Sequence, residues 1–380
     1  MHQVWEITIK HPIAQALYLP ISLYYLIRNS VSLITLPMLG EPSAKYYSVH
    51  ATPRGVNDAR PTALTIVHDE GLEGKWADKT VLLTGGNAFV GAETARALHA
   101  TGATVYITVR DAAKGQKAIN EILKSDPTNN APIHLITMSL DSFDSVRQGA
   151  AEFLKQSGNK LNVLICNAGI MAKPFALTDN GFESQFATNY LAHFLLFQLL
   201  KPALLASSTP EYNSRVITLA SESHRSNEIR FDDYNFKEGY HPAKAYGQSK
   251  TATIYLANSI DRRFGAQGLH ALSVHPGAIR TNLTAHIQKM VEPLWEIPAV
   301  KAREKSAAQG AATTVYAAIS KEWEGKGGRY LSNCMEMGPF QGKEGFEVMD
   351  EGYAPWVYDE EKQDRLWADS FKMVGLEESS

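Results

Sequence analysis

The chain has 380 residues, of which 44% are hydrophobic. This is ordinary for a globular protein and leaves room for one large domain with additions, or for two domains. A formal net charge of −3 gives no overall attraction to nucleic acid, so we expect no nucleic-acid partner. Only two cysteines occur, Cys166 and Cys334, and no Cys/His cluster has the spacing of metal ligands. These features argue against disulfides and a metal site, and they favour a reducing compartment such as the cytoplasm.

The segment 13–39 is rich in apolar and aromatic residues. Two prolines and an arginine divide it into pieces shorter than the roughly 20 apolar residues that a bilayer core requires, and it lacks the features of a signal peptide. Two interpretations remain: extra helices packed on the main domain or across a homodimer interface, or a helix lying in a membrane interface. Residues 52–61 are polar and contain two prolines and a glycine. They look like a linker, so we predict an apolar extension and linker over residues 1–74.

A short apolar run at 80–84 is followed by a glycine-rich turn at 85–91 and by a helical pattern at 92–98. A turn of this kind brings backbone N–H groups and a helix N-terminus to a phosphate group. A second strand is predicted at 103–109 and ends at Arg110. An acidic residue there would hold a ribose 2′-hydroxyl, whereas an arginine suits a 2′-phosphate. The alternative is a solvated arginine at a strand end.

Strands and helices continue to alternate along the middle of the chain. Further strands are predicted at 133–138, 161–166, 216–220 and 269–274, with helices at 142–156 and 182–200. This alternation predicts a doubly wound α/β fold, a parallel sheet with helices on both faces. Ligands of such sheets bind at the carboxyl ends of the strands, and Asn167, Ser221 and His275 lie at those ends.

Tyr246 and Lys250 are four residues apart in a predicted helix, so both side chains point to the same side. An unperturbed phenol has a pKa of about 10 and is a poor proton carrier at neutral pH. We expect the nearby ammonium to lower the pKa of Tyr246, so that the pair can exchange a proton with a substrate oxygen. The same motif also occurs as two solvated residues on an exposed helix face. His193, Ser223 and His224 are predicted to be packing or pocket-wall residues, since none is placed as part of a nucleophile–base pair.

Several motifs follow one another in a fixed order. They are the turn at 84–91, Asn167-Ala168-Gly169, Asn189 in a helix, Ser221 after a strand, Tyr246 with Lys250, and the segment 275–281. Together they resemble the short-chain dehydrogenase/reductase family, in particular its retinol-dehydrogenase-like and WW-domain-oxidoreductase-like branch. The resemblance covers residues 75–376. It implies a Rossmann-type domain over 75–380, with an extra N-terminal helical segment before it and a substrate lid at 282–300.

The resemblance also implies the roles of individual residues. Tyr246 would exchange the proton, Ser221 would orient the substrate oxygen, and Lys250 would hold the nicotinamide ribose and connect to a water organised by Asn189. The implied cofactor is NADP, whose predicted binding residues are Gly85, Asn87, Phe89, Val90, Arg110, Asn167, Ala168, Gly169, Tyr246, Lys250, Pro276, Gly277, Ile279 and Thr281.

Two positions depart from the family pattern. The turn normally reads Thr-Gly-x-x-x-Gly-x-Gly, and its middle glycine is Phe89 here. That glycine lets the backbone approach the pyrophosphate, so a benzyl group could displace the dinucleotide, or it could point away while the phosphates shift slightly. The aspartate that usually receives the adenine amino group falls on Ser139, with Asp141 two residues further on.

The leading prediction is an NADP(H)-dependent oxidoreductase that interconverts a ketone and a secondary alcohol. The lid segment carries the apolar residues Leu283, Ile287, Met290, Leu294 and Trp295. They suit a bulky lipophilic substrate such as a polyketide, terpenoid, steroid or retinoid. Packing in the core or in a dimer interface is an equally ordinary role for these residues. A non-redox enzyme of the same fold that uses Tyr246 as acid and base is the first alternative, and Phe89 keeps it open. A binding or scaffold protein, associated with a membrane through residues 13–39, is the second.

Overall fold

The computed structural model describes residues 44–342 and 351–378. The apolar segment 13–39 lies outside the described residues, so both interpretations of it stay predictions. The described chain forms one sheet flanked by helices on both faces, which confirms the predicted doubly wound α/β fold.

Eight strands form the sheet in the order β3-β2-β1-β4-β5-β6-β7-β8. Neighbouring strands are parallel except for the pair β7 and β8. Their bounds are Thr80–Thr84 (β1), Thr104–Val109 (β2), Ile133–Thr137 (β3), Val163–Cys166 (β4), Ser214–Leu219 (β5), Leu269–His275 (β6), Arg329–Ser332 (β7) and Met335–Glu336 (β8). The first six agree with the sequence-based prediction to within two residues at each end.

Twelve α-helices are numbered here in chain order within the described residues. They are Ala44–Ala51 (α1), Ala63–Asp69 (α2), Phe89–Ala100 (α3), Ala112–Ser125 (α4), Phe143–Ser157 (α5), Ala192–Ser207 (α6), Pro242–Phe264 (α7), Gln288–Trp295 (α8), Pro298–Arg303 (α9), Ala307–Gly310 (α10), Ala312–Ile319 (α11) and Glu360–Met373 (α12). A helical turn at Ser184–Phe186 and a π-helical turn at Ala187–Leu191 lead directly into α6. Short 3₁₀ turns lie at Glu222–Ser226 and Asn282–Ile287.

Alternation along the strands divides the core between the two faces of the sheet. Leu82 of β1 packs with α5, α6, α7 and α12, whereas its neighbours Val81 and Leu83 pack with α2, α3, α4 and α11. Because both faces are covered, the strands read as continuous apolar runs rather than as alternating ones. Among the described helices, the continuous run Ser184–Ser207 is long and apolar enough to cross a membrane. Most of that run is buried inside the domain, as expected for a core helix.

Residues 52–61 do not form a free linker, contrary to the sequence-based expectation. Gly55 and Arg60 are buried, and the Gly55 N–H donates to the Ala302 carbonyl at 2.7 Å. The following helix α2 buries Ile66 and Val67 in the core beside α3 and α11. The stretch is rich in turn residues because it is a tightly hydrogen-bonded loop, and the described part of the extension is packed on the domain.

Candidate active site

Helix α7 carries Tyr246 and Lys250 into the domain rather than on an exposed face. Every residue of α7 from Ala245 to Ile260 is buried, and Tyr246 and Lys250 are 6% and 5% exposed. Small side chains in this stretch let the helix approach β5 and β6 closely. The solvated interpretation of the motif is therefore excluded.

The Lys250 ammonium is fixed by the end of β5. Its Nζ donates to the Leu219 carbonyl at 2.7 Å and lies 5.5 Å from the centroid of the Tyr246 ring. Burial lowers the pKa of Lys250 to about 8, since a charged amine is disfavoured away from water. At neutral pH the side chain remains mostly protonated, close to its titration point.

The pKa of Tyr246 does not follow the sequence-based expectation. Burial raises it well above the ordinary value, a hydrogen bond with Ser221 lowers it, and the carboxylate of Glu222 raises it again. Desolvation outweighs the attraction of Lys250 because the ammonium is 5.5 Å from the ring centroid and its hydrogen bond goes to a backbone carbonyl. In this state the phenol is neutral at pH 7 and carries the proton, and the raised pKa makes it a weaker acid than a free phenol.

Ser221 is positioned by the short 3₁₀ turn that follows β5. Its side chain caps this turn by accepting from the Ser223 N–H at 3.1 Å. His224 supports the same turn: its Nδ1 donates to the Ser221 carbonyl at 2.6 Å, and its Nε2 accepts from the Ala354 N–H at 3.1 Å. Burial lowers the pKa of His224 to about 3, so the ring is neutral. His224 is therefore a support for Ser221, consistent with its predicted packing role.

Asn189 lies in the π-helical turn before α6, a type of irregularity often found at functional sites. Its amide nitrogen donates to the Ile170 carbonyl and to Ser249 Oγ, both at 2.9 Å, and its Oδ1 accepts from the Ile170 N–H at 2.8 Å. A Cβ at Gly169 would lie 3.0 Å from Asn189 Oδ1 and 3.6 Å from Lys250 Nζ. The backbone at Gly169 thus lies beside both the amide and the ammonium.

A group of hydrogen bonds centred on Thr84 joins the turn after β1 to the backbone of Asn189. Thr84 Oγ1 accepts from the N–H groups of Asn167 and Ala168, both at 3.0 Å, and contacts His193 Nε2 at 2.9 Å. His193 Nδ1 must donate to the Asn189 carbonyl, 2.9 Å away, because a carbonyl only accepts. Burial lowers the pKa of His193 to about 4, so Nε2 is an acceptor and the Thr84 hydroxyl donates to it. The sequence indicated this link only through the four-residue spacing of Asn189 and His193.

The turn after β1 retains the close approaches that a dinucleotide site needs. Gly85 has a φ of +71°, and Cβ atoms at Gly86 and Gly91 would lie 2.5 Å from Ile107 Cγ2 and 2.1 Å from the Gly85 carbonyl oxygen. Asn167 Nδ2 closes the turn by donating to the Thr84 carbonyl at 2.8 Å. The first N–H groups of α3 have no acceptor within the helix and are suited to phosphate oxygens. Of the other predicted residues in this turn, Asn87 is half-buried and Val90 is buried.

Phe89 has a backbone conformation that favours glycine. Its φ is +46°, a left-handed conformation that costs a residue with a Cβ roughly 1–2 kcal/mol. Its side chain is 37% exposed, so the benzyl group is not part of the core. The turn therefore carries backbone strain at this position.

Arg110 and Ser139 follow β2 and β3, on the far side of β1 from the catalytic residues. Arg110 is exposed, and within residues 44–342 and 351–378 its side chain has no assigned ion pair or hydrogen bond. Ser139 Oγ donates to Asp141, and its N–H donates to Ser145 Oγ at 2.9 Å. A carboxylate is therefore close to the position where the family pattern has one, but it is supplied by Asp141.

The segment after β6 is held by Lys305. Gly277 has a φ of +95°, and a Cβ there would lie 2.9 Å from Lys305 Cδ. The Lys305 N–H donates to the Ala278 carbonyl at 2.9 Å, while Ile279 packs against Gly310. Thr281 begins the 3₁₀ turn at Asn282–Ile287 by accepting from the Leu283 N–H. Sequence reasoning missed Lys305, because a lysine 28 residues after the glycine carries no local motif.

The predicted catalytic residues meet at the carboxyl edge of the sheet. Ser221, Tyr246, Lys250 and Asn189 are joined there, through the contacts above, to the ends of β1, β4 and β5. His275, the last residue of β6, lies at the same edge, and burial lowers its pKa to about 3. Its Nδ1 has no hydrogen-bond partner among the described residues. Arg110 and the Ser139–Asp141 pair lie at a distance from these catalytic residues. An extended ligand would require this, because its two ends bind at separate places.

The neutral state of His193 predicts a loss of stability in acid. A histidine whose pKa is about 4 when folded and about 6.5 when unfolded binds more protons when unfolded. Its contribution is therefore present above pH 6.5 and is lost as the pH falls from 6.5 to 4. We expect the free energy of unfolding of His193→Gln to fall less between pH 7.5 and pH 5 than that of wild type, by up to ~1.4 kcal/mol per pH unit. Urea unfolding at the two pH values measures this difference.

His68→Gln is the control, because the side chain of His68 is 73% exposed. It should keep the wild-type dependence on pH. An unchanged acid sensitivity in His193→Gln would contradict the assignment of a neutral, buried ring.

Comparison with known proteins assigns the family. A family model described as short chain dehydrogenase matches residues 79–292. Oxidoreductase calI of Penicillium decumbens is 47% identical over 342 residues, covering 88% of this chain and 98% of that protein. Retinol dehydrogenase 12 of Mus musculus is 34% identical over 303 residues, covering 79% and 87%. A solved structure of an uncharacterised Mycobacterium paratuberculosis protein matches with a TM-score of 0.61 and 32% identity, covering 85% of this chain and 100% of that chain. The chain belongs to the short-chain dehydrogenase/reductase family of oxidoreductases.

Proposed function

We propose that the protein is an NADP(H)-dependent oxidoreductase that interconverts a ketone and a secondary alcohol on a bulky lipophilic substrate. The observation that carries this proposal is the convergence of Ser221, Tyr246 and Lys250 beside the glycine-rich turn. An exposed arginine, Arg110, follows the next strand of the sheet.

The residues present fit the cofactor. Gly86 and Gly91 let the turn pack directly against Ile107 and the Gly85 carbonyl, and a dinucleotide-binding turn uses such close packing of helix and strand. Arg110 carries a charge suited to a 2′-phosphate, and Gly277 supplies the left-handed conformation of the segment that would embrace the nicotinamide. Phe89 is the one poor match, and its side chain is exposed.

The residues of the chain would then handle the oxygen and its proton. When bound, NADPH supplies the hydride for a carbonyl carbon. Ser221 hydrogen-bonds the substrate oxygen and fixes its orientation, and the neutral phenol of Tyr246 donates the proton as negative charge develops there. Lys250 holds a positive charge beside the phenol and stabilises the phenolate that remains. Asn189 and the Ile170 backbone are hydrogen-bonded to each other and lie near Lys250 beside Gly169, on the path by which the proton would be replaced.

The protonation state of Tyr246 bears on the direction of the reaction. A proton donor is needed when a ketone is reduced, whereas oxidation of an alcohol needs the phenolate. At pH 7 the phenol is in its acid form, as an unperturbed phenol would also be, and burial raises its pKa further. We expect alcohol oxidation to become faster as the pH rises, because it needs the phenolate.

A lipophilic substrate is supported by the segment after Thr281. Leu283, Ile287, Leu294 and Trp295 are only partly buried, so they offer apolar surface next to the site. Met290 of the same set has a side chain outside the described part of the structure. The segment is held over the domain by Arg280, which pairs with Glu292, Glu296 and Glu304. The name of retinol dehydrogenase 12 states a lipophilic alcohol as the substrate of that relative.

A non-redox enzyme of the same fold is the second candidate. Phe89 favours it, because a strained aromatic residue stands in the position where the backbone meets the pyrophosphate. Such an enzyme would use Tyr246 as acid and base on a lipophilic substrate without a nicotinamide. Binding of NADPH discriminates the two.

The proton role of Tyr246 predicts the outcome of removing its hydroxyl. With NADPH and a panel of steroid, terpenoid and aromatic ketones, Tyr246→Phe should lower kcat by ~10²–10⁴-fold, because the proton donor is lost. Affinity for NADPH should change little. Tyr255→Phe on the same helix removes a buried hydroxyl that donates to the Trp356 carbonyl, and it should keep most of the activity. Equal turnover in wild type and Tyr246→Phe would contradict the mechanism.

The charge of Arg110 predicts the choice of cofactor. Arg110→Gln should weaken NADPH binding by ~10-fold or more and leave NADH binding nearly unchanged, since only NADPH carries the 2′-phosphate. Lys117→Gln removes a similar charge from the exposed face of α4 and serves as the control in the same fluorescence titrations. If both variants lower the preference for NADPH equally, the effect is general electrostatics and Arg110 has no special role.

Phe89 is tested by a pair of substitutions that separate its ring from its backbone. Phe89→Gly and Phe89→Ala both remove the benzyl group, but only glycine relieves the left-handed strain. Phe89→Gly should therefore unfold with a free energy ~1 kcal/mol higher than Phe89→Ala. Both should bind NADPH at least as tightly as wild type. Binding that occurs only in Phe89→Gly would favour the non-redox candidate.

A further inference from the structure

We propose that Arg60, in the N-terminal extension, positions the segment 276–281 that would receive the nicotinamide. The extension would then be a working part of the cofactor site rather than an appendage of the domain. This inference rests on the proposed function only for the identity of the ligand. The contacts that carry it lie within the described chain.

Arg60 has a buried guanidinium that joins two stretches of backbone, the loop 55–60 and residues 303–304. It is 4% exposed, and its Nε donates to Asp58 Oδ1 at 2.8 Å. Its two Nη atoms donate to the carbonyls of Arg303, Glu304 and Gly55, at 3.0, 2.7 and 2.9 Å. Removal of such a group takes the guanidinium donors away from the carbonyls of Arg303 and Glu304, which is costly for buried acceptors.

A second set of hydrogen bonds joins the loop 55–60 to the chain on the other side of Lys305. Gln309 Oε1 accepts from the Asn57 N–H at 3.0 Å, and its Nε2 donates to Asp58 Oδ1 at 3.0 Å. The Gly55 N–H donates to the Ala302 carbonyl at 2.7 Å. The loop 55–60 therefore holds the stretch 302–309 from both ends and sets its position.

The stretch 302–309 in turn holds the nicotinamide segment. The Lys305 N–H donates to the Ala278 carbonyl at 2.9 Å, and the Lys305 side chain packs so closely on Gly277 that a Cβ there would lie 3.0 Å from Nζ. Glu304 Oε1 accepts from Arg280 Nε at 3.0 Å. A shift of Glu304 and Lys305 would therefore move Gly277 and Arg280 with them.

The positions of these contacts make Arg60 a positioning residue. Its guanidinium is buried and donates to the carbonyls and the carboxylate above, so it would act on a ligand through Glu304 and Lys305. The adenosine end of the site, at Arg110, follows β2, two strands beyond β4 in the sheet. Loss of Arg60 should therefore weaken the nicotinamide half of the site and spare the adenosine half.

The first test compares two ligands in the full-length protein. NADPH occupies both halves of the site, whereas 2′,5′-ADP occupies only the adenosine half. We expect Arg60→Gln to weaken NADPH by ~10-fold or more and to leave the affinity for 2′,5′-ADP within about twofold of wild type. Arg54→Gln is the matched control, because Arg54 lies in the same loop and is exposed. Equal weakening of both ligands, or no change for NADPH, would overturn the positioning role.

The second test needs no cofactor. Hydrogen–deuterium exchange should show faster exchange in Arg60→Gln at 276–283 and 302–306, with α5 unchanged and Arg54→Gln like wild type. Faster exchange throughout the chain would mean general destabilisation, and unchanged exchange at 276–283 would mean that Arg60 does not hold this segment. Either result would contradict the proposal. If wild type fails to bind NADPH, the proposed function falls, and the exchange data still decide the role of Arg60.

Discussion

The ammonium of Lys250 is buried in the middle of the protein, and the structure around it accommodates that charge. A buried amine is costly unless it is hydrogen-bonded, and the Leu219 carbonyl at the end of β5 provides the bond at 2.7 Å. This contact fixes α7 against the carboxyl edge of the sheet and places Tyr246 beside Ser221. Burial is also what sets the protonation states, because it lowers the pKa of Lys250 and raises that of Tyr246. The pair is held as an ammonium and a neutral phenol, the form of Tyr246 that carries a proton for a substrate oxygen.

A second constraint joins this pair to the rest of the site. Thr84 and His193 connect the first turn, the end of β4 and the helix that carries Asn189 through uncharged hydrogen bonds. The network is satisfied only if His193 carries its proton on Nδ1, which burial of the ring as a neutral group favours. The buried side chains of Lys250 and His193 thus hold the catalytic edge of the sheet together. The side chains that would contact ligands lie along that edge.

Much of this arrangement could be predicted from the sequence because it depends on local patterns. The first six strands follow from apolar runs, and the helix predicted at 142–156 is present as α5, with Ser142 as its N-terminal cap. The catalytic residues were found because motifs at strand ends must meet at one edge of a parallel sheet. The last two strands, β7 and β8, were not predicted as strands, since four and two residues are too few to show a periodicity.

Two failures of prediction concern contacts between distant parts of the chain. The direction of the pKa shift of Tyr246 depends on how deeply α7 is buried, which a four-residue spacing does not show. The loop 55–60 has the composition of a linker, and only its bonds to residues more than 240 positions away, such as that from Arg60 to Glu304, give it a fixed structure. Phe89 could be recognised as a departure from the family turn, but the sequence could not show that its backbone has a left-handed conformation.

Whether the protein uses a nicotinamide at all is decided most directly by calorimetric titration of the unmodified chain with NADPH. We expect saturable binding at neutral pH, tighter for NADPH than for NADH. The absence of heat or saturation with either cofactor, in protein shown to be folded, would contradict an oxidoreductase and leave proton chemistry at Tyr246 without a hydride.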